Sequence, residues 1–202
     1  MSYNGRVSAK SDKTRQRIVE AANQLFYHQG YSNTSFSDVV TAASVPRGNI
    51  YYYFKSKDDI LRAAVQYRLQ RIQSMLQNWS DSYRTPVERL HRFLEILPST
   101  QESLSLYGCP MGSLNTELGK DFPDLQEEAL AMFHLFEDWL TDQFSELGYA
   151  GKAGFYAKRL LGRGQGIAVM THVYRDTEYL QRETALLGNW IDRLAKGDDS
   201  CD

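Results

Sequence analysis

Ala43-Ser44-Val45-Pro46-Arg47-Gly48-Asn49-Ile50-Tyr51-Tyr52-Tyr53-Phe54 is the stretch that decides the fold of this chain. Pro46 suits the first position of a new helix, where its missing N–H would have no intrahelical partner. Just ahead, Ser35-Phe36-Ser37-Asp38 has the form of a capping box, with Ser35 as N-cap and Asp38 reaching back from N3. Phe36, Val39, Val40 and Ala43 then give a short apolar face, barely two turns long. Two short helices with a turn of a few residues between them make a helix-turn-helix. The second of them enters the major groove with its N-terminal residues against the base edges. Arg47 can pair with guanine or phosphate, and Asn49 offers both a donor and an acceptor. Gly48 lowers helix propensity by about 1 kcal/mol relative to alanine, which is tolerable where a side chain would collide with DNA.

Tyr51, Tyr52 and Tyr53 could be core, but adjacent helical positions lie about 100° apart and cannot all face inward. Ile50 and Phe54, four apart, are the better core pair. At least two phenols are left near the surface, where hydroxyls can bond to phosphate oxygens. Upstream, Ile18, Ala21, Ala22, Leu25 and Phe26 form one apolar stripe. This predicts a helix from near Asp12 to Gly30, preceded by a flexible arm over 1–11. Downstream, Ser56-Lys57-Asp58-Asp59 repeats the capping-box form and opens a long helix, Asp58 to about Trp79. Lys57 in its first turn opposes the helix dipole, a placement easier to understand beside a phosphate.

Charge divides along the chain in the same way. The net charge is −2 overall. Residues 1–57 hold eight Lys/Arg against three acidic side chains, a net of +5, and the rest hold 15 against 22, a net of −7. A basic head on an acidic body fits a protein whose head alone meets a polyanion, although a short basic segment can also be a solvated face.

Thr14-Arg15, Ala21-Ala22, Leu25-Phe26, Gly30-Tyr31, Thr34-Ser35, Val45, Gly48, Tyr51-Tyr52-Tyr53-Phe54 and Lys57 together closely resemble the DNA-binding domain of the tetracycline-repressor (TetR) family, over about residues 12–60. The resemblance implies a three-helix head with contacts from the start of the second helix, the recognition helix and the start of the fourth. By position these are Thr34, Ser35, Arg47, Gly48, Asn49, Tyr51, Tyr52 and Lys57. It also implies double-stranded DNA with a palindromic operator as partner, a homodimer, a small-molecule effector, and repression rather than activation.

Helical signals continue to the end, so the expected fold class is all-α: a head over 12–57, a helical ligand-binding and dimerisation domain over 58–197, and a flexible tail over 198–202. Thr85-Pro86-Val87-Glu88 is a further helix start, leading Leu90, Phe93, Leu94 and Leu97 to a stop or kink at Pro98. A long helix follows Pro123, and two more span about Ala153–Tyr174 and Thr177–Lys196. On the last, Leu180, Thr184, Leu187, Ile191 and Leu194 step by four and three, a seam for helix packing. Ala157, Leu160, Leu161, Gly164 and Ala168 form a small and aliphatic stripe on the helix before. Both stripes could pack within the chain; the family resemblance favours a dimer interface.

Tyr107-Gly108-Cys109-Pro110-Met111-Gly112-Ser113-Leu114-Asn115-Thr116-Glu117-Leu118 looks unlike its helical neighbours and resembles a segment of TetR-family members that sense electrophiles and of relatives that bind small unsaturated acids. Pro110 would place Cys109 at or just before a helix N-terminus, where thiolate is favoured; the alternative is a small apolar residue filling space. Phe93, Cys109, Met111, Leu114, Met132, Phe133, Phe136, Trp139 and Met170 are the candidate lining of an effector pocket, or else core. No apolar run approaches the roughly 18–20 residues that span a bilayer. Two cysteines, Cys109 and Cys201, give no disulfide framework, and a cytoplasmic protein is expected. His28, His91, His134 and His172 are scattered without metal-ligand spacing. Gly162-Arg163-Gly164-Gln165-Gly166 lacks the preceding strand and third glycine of a phosphate loop. No catalytic residues, cofactor or metal are expected, and a helical interaction module is the remaining rival to a DNA-binding regulator.

Overall fold

The computed structural model describes residues 3–199, including all their side chains except those of 3–10 and Arg47. Among the described residues every regular element is a helix: α1 Tyr3–Gln29, α2 Phe36–Ala43, α3 Arg47–Tyr53, α4 Lys57–Ser82, α5 Pro86–Leu94, α6 Ile96–Ser99, α7 Gln101–Tyr107, α8 Pro110–Asp121, α9 Pro123–Phe144, α10 Ala153–Tyr174 and α11 Thr177–Ala195. A π turn over Ser145–Tyr149 follows α9, with Gly148 at φ +102° reversing the chain.

Local chemistry sets most of these boundaries. The Ser35 hydroxyl accepts the N–H of Asp38, and the Asp38 carboxylate accepts the N–H of Ser35 at 2.8 Å. Thr85 and Glu88 repeat this reciprocal box at the start of α5, with Pro86 as its first residue. Ser56 and Asp59 do the same at α4, each N–H bonded to the other's side chain at 3.1 Å.

Several boundaries differ from expectation. α1 begins at Tyr3, because no proline or strong cap interrupts its first turns and a helix nucleated on the packed Ile18 segment propagates backwards at low cost. The arm expected over 1–11 is therefore helical from residue 3. Pro46 is the N-cap of α3, its ψ of 136° still extended, so the helix opens one residue later, at Arg47. The break expected at Pro98 falls at Glu95; Pro98 then sits in the first turn of α6, where backbone N–H groups have no intrahelical partner. At the C-terminus, Asp199 accepts hydrogen bonds from the Tyr156 hydroxyl and the Lys152 ammonium, so the expected loose tail is fastened as far as that residue. Cys201 lies outside the described residues.

The chain forms two compact units, and their limits differ from a division at residue 57. The first runs to Gln70 and also takes Ser113–Ala131; the second comprises Arg71–Gly112 and the chain from Met132 onward. In the first unit Ile18, Ala22, Phe26, Val39, Ile50, Phe54, Ile60 and Leu61 are buried, as are Leu114, Leu118, Leu125 and Ala129 from the returning segment. Arg62 of α4 donates to Glu128 of α9 at 2.7 Å within this unit. In the second unit one apolar cluster joins Leu76 and Trp79 to Leu90, Leu94, Phe136, Leu140, Phe144, Tyr156, Leu160 and Trp190.

The two C-terminal stripes belong largely to that cluster. Ala157, Leu161, Ala168, Leu180, Leu187, Ile191 and Leu194 are all buried in it, while Gly164 and Thr184 are half-buried. The four-three seam thus describes packing within the chain, correcting its assignment to a dimer interface. An amphipathic helix shows its strongest periodicity on the face its own core covers.

The carboxyl groups of Asp38 and Glu88 are held below their ordinary range by N–H donors, for Asp38 chiefly that of Ser35 and for Glu88 chiefly that of Thr85. A group with a depressed native pKa stabilises above its unfolded value and loses that contribution as pH falls through the native one. Asp38→Ala is expected to lower the urea unfolding midpoint at pH 7. The difference from wild type should shrink below the ordinary aspartate value of 3.8, as a series of urea titrations against pH will show.

Candidate nucleic-acid interface

The turn between α2 and α3 is built by backbone geometry. Ser44 takes the left-handed conformation, φ 51°, and donates its N–H to the last carbonyls of α2. Arg17 of α1 donates to the Ala43 carbonyl at 2.6 Å and to that of Ser44 at 3.1 Å, closing the C-terminus of α2 with a cation. Val45 is buried behind the turn.

α3 is only seven residues long, and its orientation follows from Ile50 and Phe54, both buried. Gly48 and Asn49 are then exposed, with Tyr51 46% and Tyr52 75% exposed. The Tyr51 ring stacks on Phe36 of α2 at 4.8 Å, and the Tyr53 hydroxyl accepts from Ser11 at 3.4 Å. Arg47 opens the helix, but its side chain lies outside those described. A Cβ built on Gly48 would meet nothing within 4 Å, so nothing in the chain itself requires glycine there. Close approach of another molecule supplies a reason.

Two residues expected at DNA face other tasks. Thr34 is 1% exposed; its hydroxyl donates to the Gly30 carbonyl at 2.6 Å and its N–H to the Tyr31 carbonyl at 3.1 Å. It satisfies the end of α1, which corrects its assignment as a contact; Ser35, next in the chain, is exposed. Lys57 donates to the Tyr31 carbonyl at 2.9 Å and lies 4.1 Å from the centre of the Tyr31 ring. That pairing explains a cation in the first turn of α4 without a phosphate.

Tyr31 itself is a junction that sequence periodicity does not mark. It is buried; its hydroxyl donates to Asp58 at 2.5 Å and its ring meets Phe122 edge-on at 5.2 Å. Burial, and after it the hydrogen bond to Asp58, raises the phenol pKa well above its usual range.

The residues expected around an effector are only partly gathered. In the second unit Phe136 is core, and Phe93, Cys109, Met111, Phe133 and Trp139 are half-buried against it. Phe93 and Phe136 meet edge-on at 5.6 Å. Met132 is fully buried, and Met170 is exposed on the outer face of α10, which removes it from any internal lining. Leu114 is buried in the first unit. An open groove of about 580 Å³ lies between α4 and α9 in the second unit, and of the expected residues only Trp139 lines it. Its walls also include Leu76 and Leu135 together with Gln73, Gln77, Ser80, Asp138 and Asp142, polar side chains that a search for apolar residues misses. Among the described residues no cluster of His, Cys, Asp and Glu could hold a metal, and no helix is long and apolar enough to cross a membrane.

Residues 18–64, which contain α2, α3 and the opening of α4, match the family model for bacterial regulatory proteins of the tetR family. The chain is 26% identical over 187 residues to the HTH-type transcriptional regulator in the lacX 3'region of Lactococcus lactis subsp. lactis, covering 91% of this chain and 95% of that one. Over residues 18–64 the chain carries a DNA-binding domain of the TetR type. It is thus a helix-turn-helix transcriptional regulator and not an enzyme. The HTH-type transcriptional repressor DhaR of Mycobacterium sp. (strain GP1) is 30% identical over 127 residues, 62% of this chain and 61% of that one. The crystal structure of a TetR transcriptional regulator from Legionella pneumophila superposes with a TM-score of 0.76 at 25% identity, covering 88% of this chain and 94% of that chain. The residues that α3 turns outward all lie inside the TetR-family match.

In this TetR-type head Gly48→Ala separates folding from binding. It is expected to raise thermal stability by roughly 0.5–1 kcal/mol through helix propensity while weakening DNA affinity. Calorimetry and fluorescence anisotropy on one preparation will measure both.

Proposed function

We propose that this regulator is a repressor that holds a palindromic operator as a homodimer and leaves it when a small molecule binds the second unit. The exposed face of α3 carries the proposal. Gly48, Asn49, Tyr51 and Tyr52 form an uncovered surface at a helix whose opposite face is anchored in the core. Arg47 at its start would read a base or a phosphate, Asn49 a base edge, and the tyrosine hydroxyls and Ser35 phosphate oxygens. The likeness to DhaR, named a repressor, supports repression.

The dimer surface would be the outward face of α10. Phe155, Val169, Met170 and Val173 are exposed there, with Gly162 and Gly166 between them, where a Cβ would meet nothing within 4 Å. Large exposed apolar side chains at helical spacing mark an interaction surface, and the glycines admit a second helix closely. Two-fold symmetry would set two α3 helices about 34–36 Å apart, the spacing of successive major grooves. Release then needs an effector that favours the form in which that spacing is wrong, since a ligand binding both forms equally shifts nothing.

Electrophile sensing is the second reading, favoured by the position of Cys109. Gly108 at φ +75° turns the chain into α8, and the Cys109 sulfur accepts the Gly112 N–H at 3.4 Å in the first turn. On this reading Cys109→Ser is no longer released from DNA by N-ethylmaleimide; unchanged release would assign the cysteine to packing.

Footprinting on the DNA upstream of the protein's own gene tests the main reading. Two protected half-sites about one helical turn apart are expected, and Arg47→Ala should weaken binding by about 1–3 kcal/mol if it reads a base. Val173→Glu should yield a monomer by light scattering and lose the operator. A wild-type monomer at micromolar concentration would contradict the proposal.

A further inference from the structure

A firm hold on the DNA-facing end comes from outside the helix-turn-helix. Glu117 lies on α8, 86 residues beyond Tyr31. Its carboxylate accepts two successive backbone N–H groups of the first unit, that of Tyr31 at 2.9 Å and that of Ser32 at 2.7 Å. α1 has just ended at Gln29, and Gly30 at φ +86° reverses the chain. Consecutive N–H groups after such a reversal form a concave cradle that favours an anion, and Glu117 supplies the anion. The fit is close: a Cβ on Gly30 would stand 3.0 Å from one carboxylate oxygen. Without Glu117 both donors would be left to solvent, and the turn would be free to sample other conformations.

The same turn sets where α2 begins. Thr34 is tied back to Gly30 and Tyr31, Lys57 donates to the Tyr31 carbonyl, and Ser35 follows directly as the N-cap of α2. Ser35 is one of the residues proposed to reach the duplex. Phe122 against the Tyr31 ring and Glu128 against Arg62 fasten the returning segment at two further points.

We infer that Glu117 is a positioning residue for DNA binding: its carboxylate holds the Gly30–Ser32 turn, and through it the start of α2, in the form that meets the duplex. This rests on the reading that this end of the molecule binds DNA. The apparent dissociation constant of a protein that adopts its binding form only part of the time rises by the inverse of that fraction. Linkage is reciprocal, so DNA that selects the held turn must also stabilise the α8 segment that holds it.

Glu117→Gln keeps the size of the side chain but turns an NH₂ group towards one of the two donors. Its affinity for the duplex upstream of the protein's own gene should fall about tenfold. The salt dependence of binding should not change, because no phosphate contact is removed. DNA should slow amide hydrogen exchange across residues 113–121 in the wild type and do so much less in the variant. A role confined to stability would shift the unfolding midpoint alone. Wild-type affinity and wild-type DNA-linked exchange in the variant would therefore overturn the inference while leaving the repressor reading intact. Should the variant fail to fold, the wild-type measurement decides: no slowing over 113–121 on binding DNA overturns it. A wild-type chain that binds no DNA defeats the repressor reading and this inference together.

Discussion

Burial of Ile50 and Phe54 is the constraint on which the exposed surface of α3 depends. A seven-residue helix is too short to persist in water unaided, since helix nucleation is costly and few bonds repay it. α3 exists because these two side chains, one turn apart, enter the core of the first unit and because Ser44 and Arg17 close the helix before it. Once they face inward, helical geometry leaves Gly48, Asn49, Tyr51 and Tyr52 no choice but to face out. The uncovered surface is therefore a consequence of packing behind it.

The first unit shows how a small head is steadied from a distance. The end of α1, the opening of α4 and the returning segment 113–131 converge on Tyr31, through its N–H, carbonyl, hydroxyl and ring. Each contact satisfies a buried polar group or covers an aromatic face, so removing one leaves a neighbour unpaired. The boundary between the two units falls inside α4, α8 and α9, so the first unit is built from more chain than the matched segment alone.

Sequence showed what local chemistry controls. The capping boxes at Ser35 and Thr85 were legible because their partners lie three residues apart, and Ile50 and Phe54 because helical periodicity is local too. The span of α10 agrees with the structure at both ends, and that of α11 ends one residue early. Misreadings arose where a partner lies far along the chain. Lys57 reads as a phosphate ligand until the Tyr31 carbonyl and ring are seen beneath it. Thr34 is a different case: it reads as a DNA contact by resemblance, yet its hydroxyl and N–H close the end of α1 only three and four residues back. The leucine seam of α11 was real but faces its own core, while the exposed stripe of α10 is less regular because glycines interrupt it. Glu117 had no local signal, for a single glutamate on a helix resembles any solvated residue.

The central claim is that the outward face of α3 meets a nucleic acid, and a salt titration of binding tests it most directly. Anisotropy of a labelled duplex from upstream of the gene, measured from dilute buffer to about 0.2 M salt, should give a straight fall of log K against log salt. The slope should be close to −0.9 for each phosphate neutralised. No binding in dilute buffer, or an affinity indifferent to salt, would contradict the account.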